Sequence, residues 1–195
     1  EIRVATGTYT PDMGAGKTPG DREATFQLIN GVTLAGGYAG AADPNARDIE
    51  LYETILSGDL NSNDIDINNP GELYDEPTRA ENSYHVVTGS NVDETAVLDG
   101  FTISSGNNDL ISEDYDSGKG AGMYNKSGSP TLINCTFIKN RAHNGSGICN
   151  EDESNPTLTN CTFTDNIAHP GSAGGMCNFL SSPILTNCTF SRNTA

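Results

Sequence analysis

Tryptophan is missing from this chain, and basic residues are scarce: 10 Lys and Arg stand against 26 Asp and Glu, a formal net charge of −16. So little positive charge opposes binding to nucleic acid or to an anionic membrane surface, and favours solubility or cation binding. No apolar run approaches the ~20 residues that a membrane span requires. No stretch keeps a 3.6-residue apolar period long enough to predict a long helix. A signal peptide is not visible either. The chain opens on a strand-like Glu1-Ile-Arg-Val-Ala5 without an initiator Met, which predicts a removed leader or a piece of a longer protein.

What is present is repetition. Pro130-Thr-Leu-Ile-Asn-Cys-Thr-Phe, Pro156-Thr-Leu-Thr-Asn-Cys-Thr-Phe and Pro183-Ile-Leu-Thr-Asn-Cys-Thr-Phe follow one another at 26 and 27 residues. A short tandem period rich in β-favouring residues predicts a solenoid, and 195 residues of it build one continuous core, a single domain over 1–195. Rungs of about 25–28 residues follow, with 1–120 carrying insertions and 121–195 nearly bare repeat.

Within each copy the apolar spacing breaks the alternation of a strand. Leu132, Leu158 and Leu185 precede the Cys by three residues, while Cys135 and Phe137, Cys161 and Phe163, and Cys188 and Phe190 are two apart. Side chains switch faces at each strand residue, so Leu and Cys both point inward only if the chain bends between them. Asn134, Asn160 and Asn187 sit at that bend, and Asn tolerates the left-handed conformation that Gly adopts freely. Gly100 and Gly31 occupy what reads as the same place in Leu98-Asp-Gly-Phe-Thr-Ile and Ile29-Asn-Gly-Val-Thr-Leu, which extends the repeat to five rungs. A second strand per rung is marked by Gly122-Met-Tyr-Asn, Gly147-Ile-Cys-Asn and Gly175-Met-Cys-Asn, and further strands are read at 25–28, 53–56 and 84–88.

The five Cys follow the repeat: Cys135, Cys161 and Cys188 are equivalent, as are Cys149 and Cys177. Equivalent residues on neighbouring rungs lie about 4.8 Å apart with side chains side by side, which favours buried thiols. A disulfide between Cys149 and Cys177 in an oxidising compartment stays open as the alternative.

At this point the sequence resembles right-handed parallel β-helix proteins of the pectate-lyase-like superfamily. Gly174-Gly-Met and the Phe-x-x-Asn pairs (Phe137 with Asn140, Phe163 with Asn166, Phe190 with Asn193) resemble repeats of chlamydial polymorphic outer-membrane proteins and, more closely, of large surface proteins from planctomycete-type bacteria. The likeness covers about 98–195, and Ile2-Arg-Val-Ala-Thr-Gly-Thr-Tyr resembles the usual first coil. The resemblance implies an all-β, right-handed parallel β-helix in which the bend Asn form an internal ladder. Together with the many Gly, Asn, Ser and Thr, it implies a secreted or cell-surface location.

Polysaccharide lyases and hydrolases of that superfamily set the standard for an enzyme reading. Hydrolases need two carboxylates held apart across the sugar, and lyases a basic residue beside Ca²⁺-binding carboxylates. Asn-Thr-Asp, Gly-His-Gly and an Arg-x-x-Lys pair are all missing. The remaining catalytic candidates are His143 and His169, at equivalent positions in what read as polar turns, with Arg141, Lys139 and Asp165 beside them. The acidic insertion at 59–76 carries Asp59, Asp64, Asp66, Glu72, Asp75 and Glu76 and no base; that at 106–120 carries Asp109, Glu113, Asp114 and Asp116 with Lys119. Asp59, Asn61, Asn63, Asp64 and Asp66 alternate like the first half of a Ca²⁺ loop, and the segment reads either as a Ca²⁺ site or as a solvated acidic loop. The pattern departs from an EF-hand at Asp64, where Gly is required, and at Pro70, where Glu closes the loop.

The leading expectation is a structural or adhesive module of an extracellular surface or matrix protein. An unpaired rung needs a cover, so its partners are further rungs of a longer chain or other copies stacked end to end into filaments. The alternative is a polysaccharide-active enzyme or glycan-binding domain whose insertions flank a groove.

Overall fold

The computed structural model describes residues 1–67, 69–110 and 118–195. The chain winds through six coils, and every pairing between named strands is parallel. The first coil is β1 (Ile2–Ala5), β2 (Gly7–Tyr9) and β3 (Phe26–Gln27); the second is β4 (Thr33–Tyr38), β5 (Thr54–Ser57) and β6 (Val87–Thr88); the third is β7 (Val97–Asp99), β8 (Thr102–Ser104) and β9 (Met123–Lys126). The fourth coil is β10 (Thr131–Ile133), β11 (Thr136–Ile138), β12 (Arg141–Asn144) and β13 (Ile148–Glu151). The fifth is β14 (Thr157–Thr159), β15 (Thr162–Thr164), β16 (Ile167–Ser172) and β17 (Met176–Phe179), and the last described strands are β18 (Ile184–Thr186) and β19 (Thr189–Ser191). Stacking the coils gives three long sheets, β1-β4-β7-β10-β14-β18, β2-β5-β8-β11-β15-β19 and β3-β6-β9-β13-β17, with the pair β12-β16 wedged between the last two.

The inferred bend is present. Asn134, Asn160 and Asn187 have φ of 51°, 55° and 54°, and Gly100 has 78°. It is sharp enough to split each Leu-to-Phe segment into two strands of different sheets, so a coil has three or four strands rather than two. Leu132, Cys135 and Phe137 are all buried, as the parity argument requires, and so are Leu158, Cys161 and Phe163. A second left-handed residue at Ser105, Lys139, Asp165 and Arg192 repeats the manoeuvre after the Phe strand, and a third at Asn91, Ser127, Asp152 and Leu180 follows the strands of the third sheet.

Two expectations are corrected. Leu34 pairs with Leu98 and Ala35 with Asp99, so Gly36 faces Gly100 on the next coil; Gly31 has positive φ but lies in the turn before β4. The bend Asn do form a ladder, Asn187 to Asn160 to Asn134 to Asp99 at 2.8–3.1 Å, but Asn160 and Asn187 are exposed. A left-handed residue between two inward side chains points outward, so this ladder runs along the outside corner. Two other Asn rows run inside. Asn140, Asn166 and Asn193 are linked at 3.0 and 2.9 Å, and Asn125, Asn150 and Asn178 at 2.8 Å each.

Between these rows lies the apolar core. Leu98, Leu132 and Leu158 stack in register, and Phe137, Phe163 and Phe190 stack with centroids 5.0 and 4.5 Å apart. Each fully buried Leu or Phe contributes about 1.5–3 kcal/mol, and each aromatic pair adds roughly 0.5–1.5 kcal/mol. All five Cys are free thiols. Cys135 and Cys161 belong to the core, whereas Cys149 points to the outer face of the third sheet.

Candidate functional site

The insertion after β5 folds back over β12 and β16. Its 3₁₀ turn at Pro70–Tyr74 is capped by Asn69, whose Oδ1 accepts from the Gly71 N–H, and Ile67 and Leu73 pack on Ile167 in a small core of their own. A second 3₁₀ turn, Pro77–Arg79, drives Arg79 into the protein. Arg79 is 3% exposed; it ion-pairs with Asp64 at 2.8 Å and donates from Nη2 to the Lys139 carbonyl at 2.8 Å. Burial lowers the Arg79 pKa and raises that of Asp64, outweighing their mutual attraction in both cases.

That docking assembles the sequence candidates. Arg141 and His143 sit in β12 and His169 in β16, in strands rather than turns; Ala142 faces Ala168, and the register shifts just beyond, where the two His lie. Tyr74 links the two strands. Its ring meets the His169 ring edge-on at 4.2 Å, and the Arg141 guanidinium lies 4.8 Å from its centroid. Arg141 is buried and donates from Nη1 to Asn107 Oδ1 at 3.0 Å, while its Nε has no partner. No carboxylate among the described residues pairs with it, although Asp109 lies near and itself pairs with Arg22 at 2.8 Å. Burial, and then Arg141, hold His143 below the ordinary histidine range, and its buried Nε2 is also unpartnered. Gly118 lies over this ring, since a Cβ there would come within 2.7 Å of it. A cavity of about 310 Å³ opens beside the cluster, lined by Tyr74, His169, Ile167, Ala168, Asn69 and Gly71 among others. Of the cluster, Tyr74 and His169 reach the cavity wall, while Arg141 lies behind against the Tyr74 ring; a phenol and an imidazole beside a polar loop suit a hydroxyl-rich ligand. Lys139 and Asp165 stand apart, tied to Asp66 and Arg192.

The Ca²⁺ candidates separate. Asp59 accepts from the N–H groups of Asn63 and Asp64, both at 3.1 Å, closing the loop on itself. Asp66 turns to Lys139, and Asn61 and Asn63 are exposed. Asp59 and Asp64 meet Glu81 instead, with carboxylate oxygens within 4.8 Å of one another, so these three form a group of described carboxylates placed to share a hard cation. Glu81 carries no sequence signal, because chain reversal through the 3₁₀ turns brings it there. Of the carboxylates in the 106–120 insertion, Glu113, Asp114 and Asp116 lie outside the described residues.

A second cluster escaped the sequence reading. On the outer face of the third sheet Lys119 pairs with Glu151, the Tyr124 hydroxyl donates to Glu151 at 2.6 Å, and His85 stacks on Tyr124 at 5.0 Å. Burial lowers the His85 pKa. Its residues come from three coils and share no local motif.

Stacked parallel coils with inward Asn and Phe rows define a parallel β-helix carrying one docked insertion. Residues 79–195 match the family model described as a right handed beta helix region, more than half of the chain, and the chain belongs to that family. Comparison with curated proteins and with solved structures gives no match.

Proposed function

We propose that this chain is a structural module of an extracellular surface or matrix protein, joined to further coils through the outer edge of β18 and β19. The observation that carries this reading is the state of that edge. Leu185 and Phe190 continue core rows whose preceding members are fully buried, yet they are 40% and 46% exposed, and Ile184 beside them is 61% exposed. Asn187 donates to Asn160 and Asn193 accepts from Asn166, both in the coil before, and among the described residues no side chain continues either row beyond them. Apolar rows, Asn rows and unpaired strand edge all repeat at one rung spacing, so the surface fits a further coil of the same repeat, from the same polypeptide or from another copy. A contact of this kind between copies is heterologous and propagates into a filament. Sedimentation and electron microscopy of the purified chain test it, with multimers supporting the reading.

A second reading, glycan binding or polysaccharide cleavage, is favoured by the cleft that Tyr74 and His169 line, with Arg141 against the Tyr74 ring. Incubation with a panel of acidic polysaccharides in Ca²⁺ tests it: a lyase generates ultraviolet-absorbing unsaturated ends, a binding domain retards the polysaccharide without them. Ca²⁺ shared by Asp59, Asp64 and Glu81 would fasten the insertion that forms the cleft, and chelation would then lower the melting temperature.

A further inference from the structure

Cys149 and Cys177 face each other directly in the parallel pair β13-β17, on the outer side of the sheet, while Ile148 and Met176 beside them turn into the core. The core thiols are engaged otherwise: Cys135, Cys161 and Cys188 each donate to backbone carbonyls, of Ile133, Thr159 and Thr186 at 3.3–3.5 Å. Cys149 and Cys177 make no such contact to a carbonyl among the described residues, and each is the other's partner in the strand register. Glu151, two residues beyond Cys149 along the same strand, is paired with Lys119. Gly145 roofs the pair, since a Cβ there would come within 2.8 Å of Cys177 Cβ, and its φ of +57° favours glycine. Cys149 is fully buried and Cys177 half-buried, which leaves entry from one side.

Rung spacing decides what such a pair can hold. Strands in register are about 4.8 Å apart, and in a parallel pair the two side chains run side by side rather than converging as the Cβ atoms of a disulfide do; both thiols are free. Two metal–sulfur bonds of about 2.3 Å, the zinc–thiolate length, span about 4.6 Å in a line. Soft thiolates select soft cations, and with only two ligands the fit is to an ion content with linear coordination. We propose that Cys149 and Cys177 form a two-coordinate site for a soft monovalent cation of the Cu(I) class. Binding replaces the two S–H bonds by two metal–sulfur bonds and releases the two protons to solvent, with no change of oxidation state.

The test is an anaerobic titration of the reduced full chain with Cu(I) against a chromophoric Cu(I) chelator. One Cu(I) per chain is withheld from the chelator, falling to none in Cys149→Ala and in Cys177→Ala and staying at one in Cys188→Ala. Circular dichroism confirms that each variant is folded; half-buried Cys177 serves if Cys149→Ala does not fold. A folded, reduced wild-type chain that leaves all Cu(I) with the chelator overturns the proposal. So does a stoichiometry unchanged by Cys177→Ala, or purified protein whose mass and peptide map show these two Cys joined in a disulfide.

Discussion

Asn140 donates from Nδ2 to Asn166 Oδ1 at 3.0 Å in the interior of the coil, and Asn166 accepts there a second time, from the Asn140 N–H at 3.1 Å. Asn166 in turn donates to Asn193 Oδ1 and to the Phe137 carbonyl. The row supplies partners to buried backbone at the corner where the chain leaves the Phe sheet, which no strand pairing does there.

Asn166→Ala therefore strands several buried polar groups at once. Each costs about 1–3 kcal/mol, and the substitution should destabilise by about 3 kcal/mol or more in urea unfolding. Asn160→Ala removes an exposed member of the corner ladder and should cost under about 1 kcal/mol. Equal losses at the two positions contradict the inside and outside assignment.

Arg79 and Asp64 make a second measurable pair. Removing one partner leaves a buried charge, and Arg79→Met alone should cost about 3–5 kcal/mol. Since burial already works against both ionised forms, the double variant Arg79→Met with Asp64→Leu should recover most of that loss. A double variant no more stable than Arg79→Met would show that the pair's hydrogen bonds outweigh its desolvation.

Acid should weaken the fold through His85. Its folded pKa lies below the ordinary 6.5, so between the two values the unfolded chain holds the extra proton. Stability is then full above pH 6.5 and declines as pH falls from there toward the folded value. Melting temperatures from pH 7.5 to 5.5 should fall, and His85→Phe, which keeps the ring against Tyr124, should flatten the slope. His143, lowered by burial and by Arg141, adds in the same direction. An unaltered slope in His85→Phe removes His85 as the cause.

Much of the architecture was legible because the inward rows are written in residue type: Leu, Cys and Phe repeat at fixed offsets, and the three-residue gap forces a bend at Asn134. Which Asn row lies inside was not legible. It depends on a second left-handed bend at Lys139, Asp165 and Arg192, residue types that do not advertise one. Gly31 misled for a related reason: its neighbours copy the spacing around Gly100, but pairing of Leu34 with Leu98 fixes the register elsewhere. Of the candidate residues, Arg141, His143 and His169 could be found from the repeat, whereas Tyr74 at the cleft and Glu81 beside Asp59 arrive through the folding back of an insertion without periodicity.

Stacking of copies at the β18–β19 edge is decided by sedimentation velocity across a concentration series, comparing the purified chain with Leu185→Lys. The unaltered chain should shift from monomer to end-to-end multimers as concentration rises, and Leu185→Lys, which sets a charge in the apolar row at that edge, should stay monomeric. Monomers throughout the series, or multimers that Leu185→Lys leaves intact, contradict stacking of copies at this edge.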